Sequence, residues 1–205
     1  MINKNKLTKI LIAIIVIIVA VVAIVFLLQA SVDNDILSTK LAAGVQENNT
    51  GITSNFEYRY SDVDNGVYYD FSMAKNFDDY KKLLQSLNAK KIEDKMYNDI
   101  KWEIYYFNPS NLPTNYEYNN IVGAYILFTS TKNGEYLITI STDAVLADNT
   151  LTSNLFTKFV LPVLENMNLK DPQNPPTEFK LFNTNQSNFD SAISSLNSGD
   201  SNATA

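Results

Sequence analysis

Three short stretches carry residue types that could do chemistry. Ser72-Met73-Ala74-Lys75 has the S-x-x-K spacing that sets a serine nucleophile one helical turn from a lysine base. That chemistry needs the motif at the start of a buried helix, and here it falls at a strand end. The usual companion motifs are also absent, since Ser61-Asp62 is followed by Val63 and Lys132 by Asn133. Asp62-Val63-Asp64-Asn65-Gly66 resembles a calcium loop, but counted from Asp62 the glycine is fifth rather than sixth, and the twelfth residue is Met73 rather than glutamate. A hairpin turn accounts for it better. The carboxylate pairs Asp78/Asp79 and Glu93/Asp94 have the composition for acid–base hydrolysis. Acids at a helix N-terminus also stabilise the helix dipole, which accounts for Asp78 and Asp79.

The chain has no histidine and no cysteine. Ordinary zinc sites, the Ser-His-Asp triad, the Cys-His pair and any disulfide framework are therefore excluded within it. No catalytic residue, cofactor or metal ligand is expected, and the protein is not expected to be an enzyme.

The remaining site candidates are aromatic. All 12 tyrosines lie between Tyr58 and Tyr136. The adjacent pairs Tyr68/Tyr69 and Tyr105/Tyr106 must point to opposite faces of a sheet, and Tyr116 and Tyr118 sit in a long loop. Tyr68, Tyr105, Tyr116 and Tyr118 are the expected binding patch, against the alternative that tyrosine simply suits a half-wet sheet face. Asn48, Asn185 and Asn202 head N-x-S/T sequons in polar segments and are candidate glycosylation sites.

These residues need elements to position them. Phe56, Tyr58 and Tyr60 alternate with Glu57 and Arg59, and Val67, Tyr69, Phe71 and Met73 repeat the pattern after Asp64-Asn65-Gly66, so a strand hairpin is predicted. Asn76 is the expected cap of a helix, with Asp79 completing a capping-box-like pair and Phe77, Tyr80, Leu83, Leu84 and Leu87 forming its apolar stripe. Strands are predicted over 91–97 and 101–107, the second placing Trp102, Ile104 and Tyr106 on one face. Ile121–Thr131 reads as a central strand, turned by Lys132-Asn133-Gly134 into a strand over 135–142. Leu151, Leu155, Phe159, Val163 and Met167 mark a helix of about four turns that Pro162 should kink or split. A short strand over 179–182 and a helix over 187–196 complete the domain. The fold class expected is α+β: one mostly antiparallel sheet packed against helices.

Ahead of the domain, residues 10–28 carry no charge. In a helix they span about 28 Å, close to a bilayer's hydrocarbon thickness. The core is longer than that of a cleavable signal, and Leu28-Gln29-Ala30 is a poor cleavage site. Lys4, Lys6 and Lys9 precede the run and Asp33 and Asp35 follow it, which places the N-terminus in the cytoplasm and the domain outside. The expected division is a basic segment 1–9, a transmembrane helix 10–28 in contact with membrane lipid, a spacer 29–55 with a short helix from Asp35, a domain 56–196 and a disordered tail 197–205. The net charge is −6, and without the three N-terminal lysines 13 basic residues face 22 acidic ones. Nucleic acid is excluded as a partner on that charge.

The Lys-rich start, Ile/Val run, Asn/Ser spacer and single domain together resemble the small anchored surface proteins of methanogenic archaea. The element order around "NFDDYKKLLQSLNAKK", "IKWEIYYFN" and "GAYILFTSTKNGEYLITIST" is similar to their PsbP-like (PsbP/Mog1-like sandwich) domains over about Phe56 to Asn168. That resemblance implies a non-catalytic accessory of a membrane complex and carries over no individual residue. The expected function is an anchored extracytoplasmic binding or accessory module whose partner is another membrane or surface protein. The alternatives are a filament subunit assembled through the N-terminal helix, which would be a homo-oligomer, and an envelope hydrolase.

Overall fold

A computed structural model describes residues 11–12, 14–17, 29–49, 52, 54–108, 123–142 and 155–177. Its main body is an antiparallel sheet of seven strands: β3 (Gln46–Glu47), β4 (Glu57–Asp62), β5 (Val67–Ala74), β6 (Lys90–Tyr97), β7 (Ile100–Phe107), β8 (Gly123–Ser130) and β9 (Glu135–Thr142), in the spatial order β3-β4-β5-β9-β8-β7-β6. A second antiparallel sheet has the order β1-β2-β10, from β1 (Ala30–Asp33), β2 (Leu37–Leu41) and β10 (Asn168–Leu169). Between β5 and β6 lies helix α1 (Asp78–Ser86). A π-helical turn (Phe156–Val160) leads into helix α2 (Leu161–Glu165).

The architecture corrects the expected α+β class with an N-terminal transmembrane helix: the chain is mostly β, built on two antiparallel sheets. Much of the difference lies in residues 29–55, expected as a spacer with a helix from Asp35. Leu37 and Leu41 are four residues apart, a spacing that fits one face of a helix and one face of a strand equally well. The residue between them decides. Thr39 is β-branched and buried on the same side, and its hydroxyl donates to the carbonyl of Val163 at 2.8 Å. Asn34, rather than Asp35, makes the local turn, its Oδ1 accepting from the N–H groups of Ile36 and Leu37 at 3.1 and 3.0 Å.

The expected membrane placement is corrected as well. Among the described residues no helix is long and apolar enough to cross a membrane. Leu11, Ile12 and Ile14–Ile17 are helical, and the rest of the run over 10–28 lies outside the described residues. The single-pass localisation, N-terminus inside and domain outside, is overturned on that finding. The basic segment with Lys4, Lys6 and Lys9, Leu151, the strand over 179–182, the helix over 187–196 and the tail 197–205 lie outside the described residues.

Each face of the large sheet has its own core. On one, Tyr69, Phe71, Met73, Trp102, Ile104, Leu127, Tyr136, Ile138 and Ile140 meet Val32, Ile36, Leu37 and Leu41 of the small sheet and Leu155, Phe159, Val163 and Met167 of the C-terminal helical turns. On the other, Leu83 and Leu84 of α1, with Phe77 and Leu87 at its two ends, cover Phe107, Ala124, Ile126, Phe128 and Leu137. β8 lies between β7 and β9 and is buried on both sides, as its continuous apolar run predicts. Pro162, which lacks an N–H, sits at the start of α2, where the π-helical turn gives way to α.

The cap of α1 differs from expectation. Phe77 occupies the cap position, and its N–H is accepted by Glu135 Oε2 of β9 at 3.0 Å. Asn76 Oδ1 reaches the Asp78 N–H only at 3.4 Å. A carboxylate from across the sheet thus replaces the local side chain. Lys81 Nζ also meets both oxygens of Glu135 at 3.2 Å.

Candidate binding surface

The residues whose types and spacing could do chemistry have structural surroundings. Ser72 is buried on β5, and among the described residues its Oγ has no hydrogen-bond partner. Lys75 is exposed beyond the strand, with Nζ donating to the carbonyl of Asn133 at 3.3 Å. Nucleophile and base are not paired. Asp62 is buried, and both its oxygens are engaged by Asn65: Oδ1 accepts from the backbone N–H at 3.1 Å and Oδ2 from Nδ2 at 2.7 Å. It clamps the β4–β5 turn. Asp79 pairs with Lys82 at 2.8 Å, Asp94 with Lys91 at 2.9 Å and Glu93 with Lys95 at 3.8 Å, all on exposed faces.

Of the expected aromatic patch, Tyr68 and Tyr105 fall within the described residues, and they stand apart. Tyr68 of β5 and Tyr105 of β7 are half-buried on the same face of the large sheet. With β9 and β8 between them they are separated by three strand spacings, about 14 Å. Tyr105 packs edge-on against Phe128 (centroids 5.8 Å apart, planes at 90°), and its hydroxyl donates to Glu103 Oε2 at 3.3 Å. Tyr69 and Tyr106 belong to the opposite core, as the alternation requires. Tyr116, Tyr118, Asn185 and Asn202 lie outside the described residues. Asn48 is exposed at the end of β3.

Two polar features were not anticipated. On β4 and β5, Arg59 Nε meets Asp70 Oδ1 at 2.7 Å, directly across the ladder. Burial raises the Asp70 carboxyl above its ordinary range, and Arg59 pulls it back down. Glu57, on the same face, is likewise raised by burial and lowered by Arg59. At the far end of the sheet, the β7–β8 ladder stops at Glu103↔Phe128, although both strands continue. Thr129 Oγ1 donates to the Lys101 carbonyl at 2.8 Å in place of a ladder bond. A cleft of about 410 Å³ opens there, lined by Asp99, Lys101, Glu103, Ser130 and Glu135 over Phe128.

The most accessible feature is β6. Among the described residues β7 is its sole neighbour, and six of its eight residues are exposed. Two features of the chain send it to the edge. Asn88, at φ 55°, ends α1 in the left-handed conformation. Asn98 and Asp99 both have positive φ, 48° and 61°, and form the two-residue turn that folds β6 back on β7 with Tyr97 opposite Ile100. A bulge between Lys91 and Glu93 interrupts the ladder. Beyond the N-terminal helix, the large apolar side chains exposed among the described residues are Val63 (76%), Ile92 (46%) and Met96 (56%), and two of these three are on β6.

No protein-family profile matches the chain, and no curated protein matches it either.

Proposed function

We propose that this protein is a non-catalytic binding or accessory module that captures a protein partner along the open edge of β6. One observation carries it: an eight-residue edge strand that leaves Ile92 and Met96 in water. An unpaired edge offers a row of backbone donors and acceptors to an extended segment of a partner, and alternate side chains set the choice of partner. The absence of histidine and cysteine from the sequence and the separation of Ser72 from Lys75 agree with a role outside catalysis. The test is a photo-crosslinking residue at Ile92 of the full chain, with Asp79 on exposed α1 as control. The expected result is a discrete adduct from position 92, mapped to one partner segment and removed by Met96→Asp. Adducts at position 92 no more specific than those at position 79 would sink the proposal.

A second reading has its own observation. Leu11, Ile12 and Ile14–Ile17 are helical and between 48% and 61% exposed, six aliphatic side chains that water disfavours. They suit a structural subunit that assembles through this helix. A chain starting at Gln29 that assembles to the same size as the full chain would refute it.

A further inference from the structure

Resting on the assignment of β6 as the binding edge, we infer that Met96 is an oxidation site: its thioether takes an oxygen atom from hydrogen peroxide, and the sulfoxide releases the partner held there. The chain has four methionines, of which Met73, Met96 and Met167 fall within the described residues. Met73 and Met167 are 1% and 0% exposed, in the core between the two sheets. Met96 is 56% exposed on β6. Oxygen transfer needs the peroxide at a sulfur lone pair and water around the charge that develops. Of these three residues, only Met96 offers both. A sulfur lone pair attacks one peroxide oxygen and the O–O bond breaks. The leaving hydroxide takes the proton of the S–OH group and departs as water, leaving methionine sulfoxide.

Strand geometry puts this sulfur where its oxidation is felt. Met96 opposes Lys101 in the β6–β7 ladder. The Lys101 carbonyl is turned the other way, toward β8, where it accepts from Thr129 Oγ1 at 2.8 Å. Residues of an antiparallel pair either exchange both backbone bonds or both turn away, so the Met96 N–H and C=O face the open edge. An incoming strand bonds to Met96 itself and lies along its side chain. The thioether gives that strand an apolar contact, whereas the sulfoxide brings a polar S=O group that resists losing its water. Lys101 adds a second effect. Opposed residues share a sheet face, with Cβ atoms about 5 Å apart. Lys101 is exposed, and among the described residues its ammonium forms no ion pair. It is a ready donor to the sulfoxide oxygen and draws the oxidised side chain back onto its own sheet.

The site and the release are read separately in the full chain. The purified protein is treated with hydrogen peroxide, the excess is removed with catalase, and oxidation is located by peptide mass spectrometry. Met96 is expected to oxidise at least tenfold faster than Met73 and Met167, and the difference to vanish in unfolding urea. Equal rates in the folded chain overturn the site. Release is read with the photo-crosslinking residue at Ile92, after the treated chain is returned to an extract of its native cells. Oxidation is expected to lower the specific adduct at least fivefold, and methionine sulfoxide reductases acting on both epimers to restore it. In Met96→Leu, peroxide is expected to leave the adduct at whatever level that variant starts from. An adduct that survives oxidation of Met96, or a peroxide response retained in Met96→Leu, overturns the release while β6 remains the binding edge. No specific adduct from the untreated chain sinks the edge and the release together.

Discussion

Two turns of the large sheet carry the same dipeptide for different physical reasons. Asn65-Gly66 closes β4–β5 and Asn133-Gly134 closes β8–β9. In the first, Gly66 sits at φ 60°, where a side chain would strain the backbone, and the turn is held from within by Asp62. In the second, the need is space. A Cβ on Gly134 would lie 2.4 Å from the Ala74 carbonyl oxygen and 3.1 Å from Pro175 Cγ. That turn is held from outside: Asp171 Oδ1 accepts from Thr131 Oγ1 and, at 3.2 Å, from the Asn133 N–H, while Asn133 Nδ2 donates to the Asp171 carbonyl at 2.9 Å. Lys75 N–H donates to the Pro176 carbonyl at 2.8 Å beside it. One turn is a self-sufficient bend, and the other is a junction where the end of β5 and the segment after β10 meet.

The contrast is sharpest under substitution. Gly134→Ala forces a methyl group against backbone and should cost about 3 kcal/mol, read as a lower urea midpoint at unchanged slope. A loss no larger than that of Gly66→Ala would erase the distinction. Asp171→Ala takes the acceptor from the Asn133 N–H and leaves the Thr131 hydroxyl only the Gly134 carbonyl at 3.1 Å, and should cost about 2 kcal/mol. Hydrogen exchange should then rise at the β8–β9 turn and leave the β4–β5 turn unchanged. Gly66→Ala meets only backbone strain and should cost about 1 kcal/mol. The smallest effect is alkaline. The Tyr136 hydroxyl donates to the Ile36 carbonyl at 3.2 Å and accepts from the Asp171 N–H at 3.0 Å, and burial pushes its phenol up from 10 to about 12. A phenol raised by folding contributes stability that is complete below pH 10 and lost as pH rises through 12. Melting temperatures should fall across that window, and less steeply in Tyr136→Phe. An identical slope in the variant would remove Tyr136 from the account.

Both hairpins were legible in the sequence, but the reasons for their glycines were not. The pair of positive φ values that Asn-Gly suggests occurs instead at Asn98-Asp99, between strands expected over 91–97 and 101–107. Local pattern located β4 to β9 and the apolar stripe of α1, because each carries several residues of one period. It missed the small sheet, since β10 is two residues long and β2 fits two periods at once. The open edge was legible only as a strand. That β6 lies outermost is a property of strand order, set by contacts between β5, β9 and β8 far apart in sequence, and no spacing within Lys90–Tyr97 encodes it. Tyr105 shows the same limit: alternation gave its face, but only Phe128 from another strand shows what covers it.

The small sheet also governs when the chain can fold. Its third strand comes from the far end of the chain: Leu169 pairs with Leu37, the Thr39 hydroxyl reaches a carbonyl 124 positions away, and Lys170 meets Asn34 across 136. Closing loops of this length carries an entropic cost before any contact repays it, and such topologies fold slowly. During synthesis on the ribosome, the β1–β2 hairpin forms early but must wait, its buried leucines uncovered, until α2 and β10 emerge. Commitment to the native state therefore comes late in translation, and a chain released before Asn168 lacks the strand that closes its second layer.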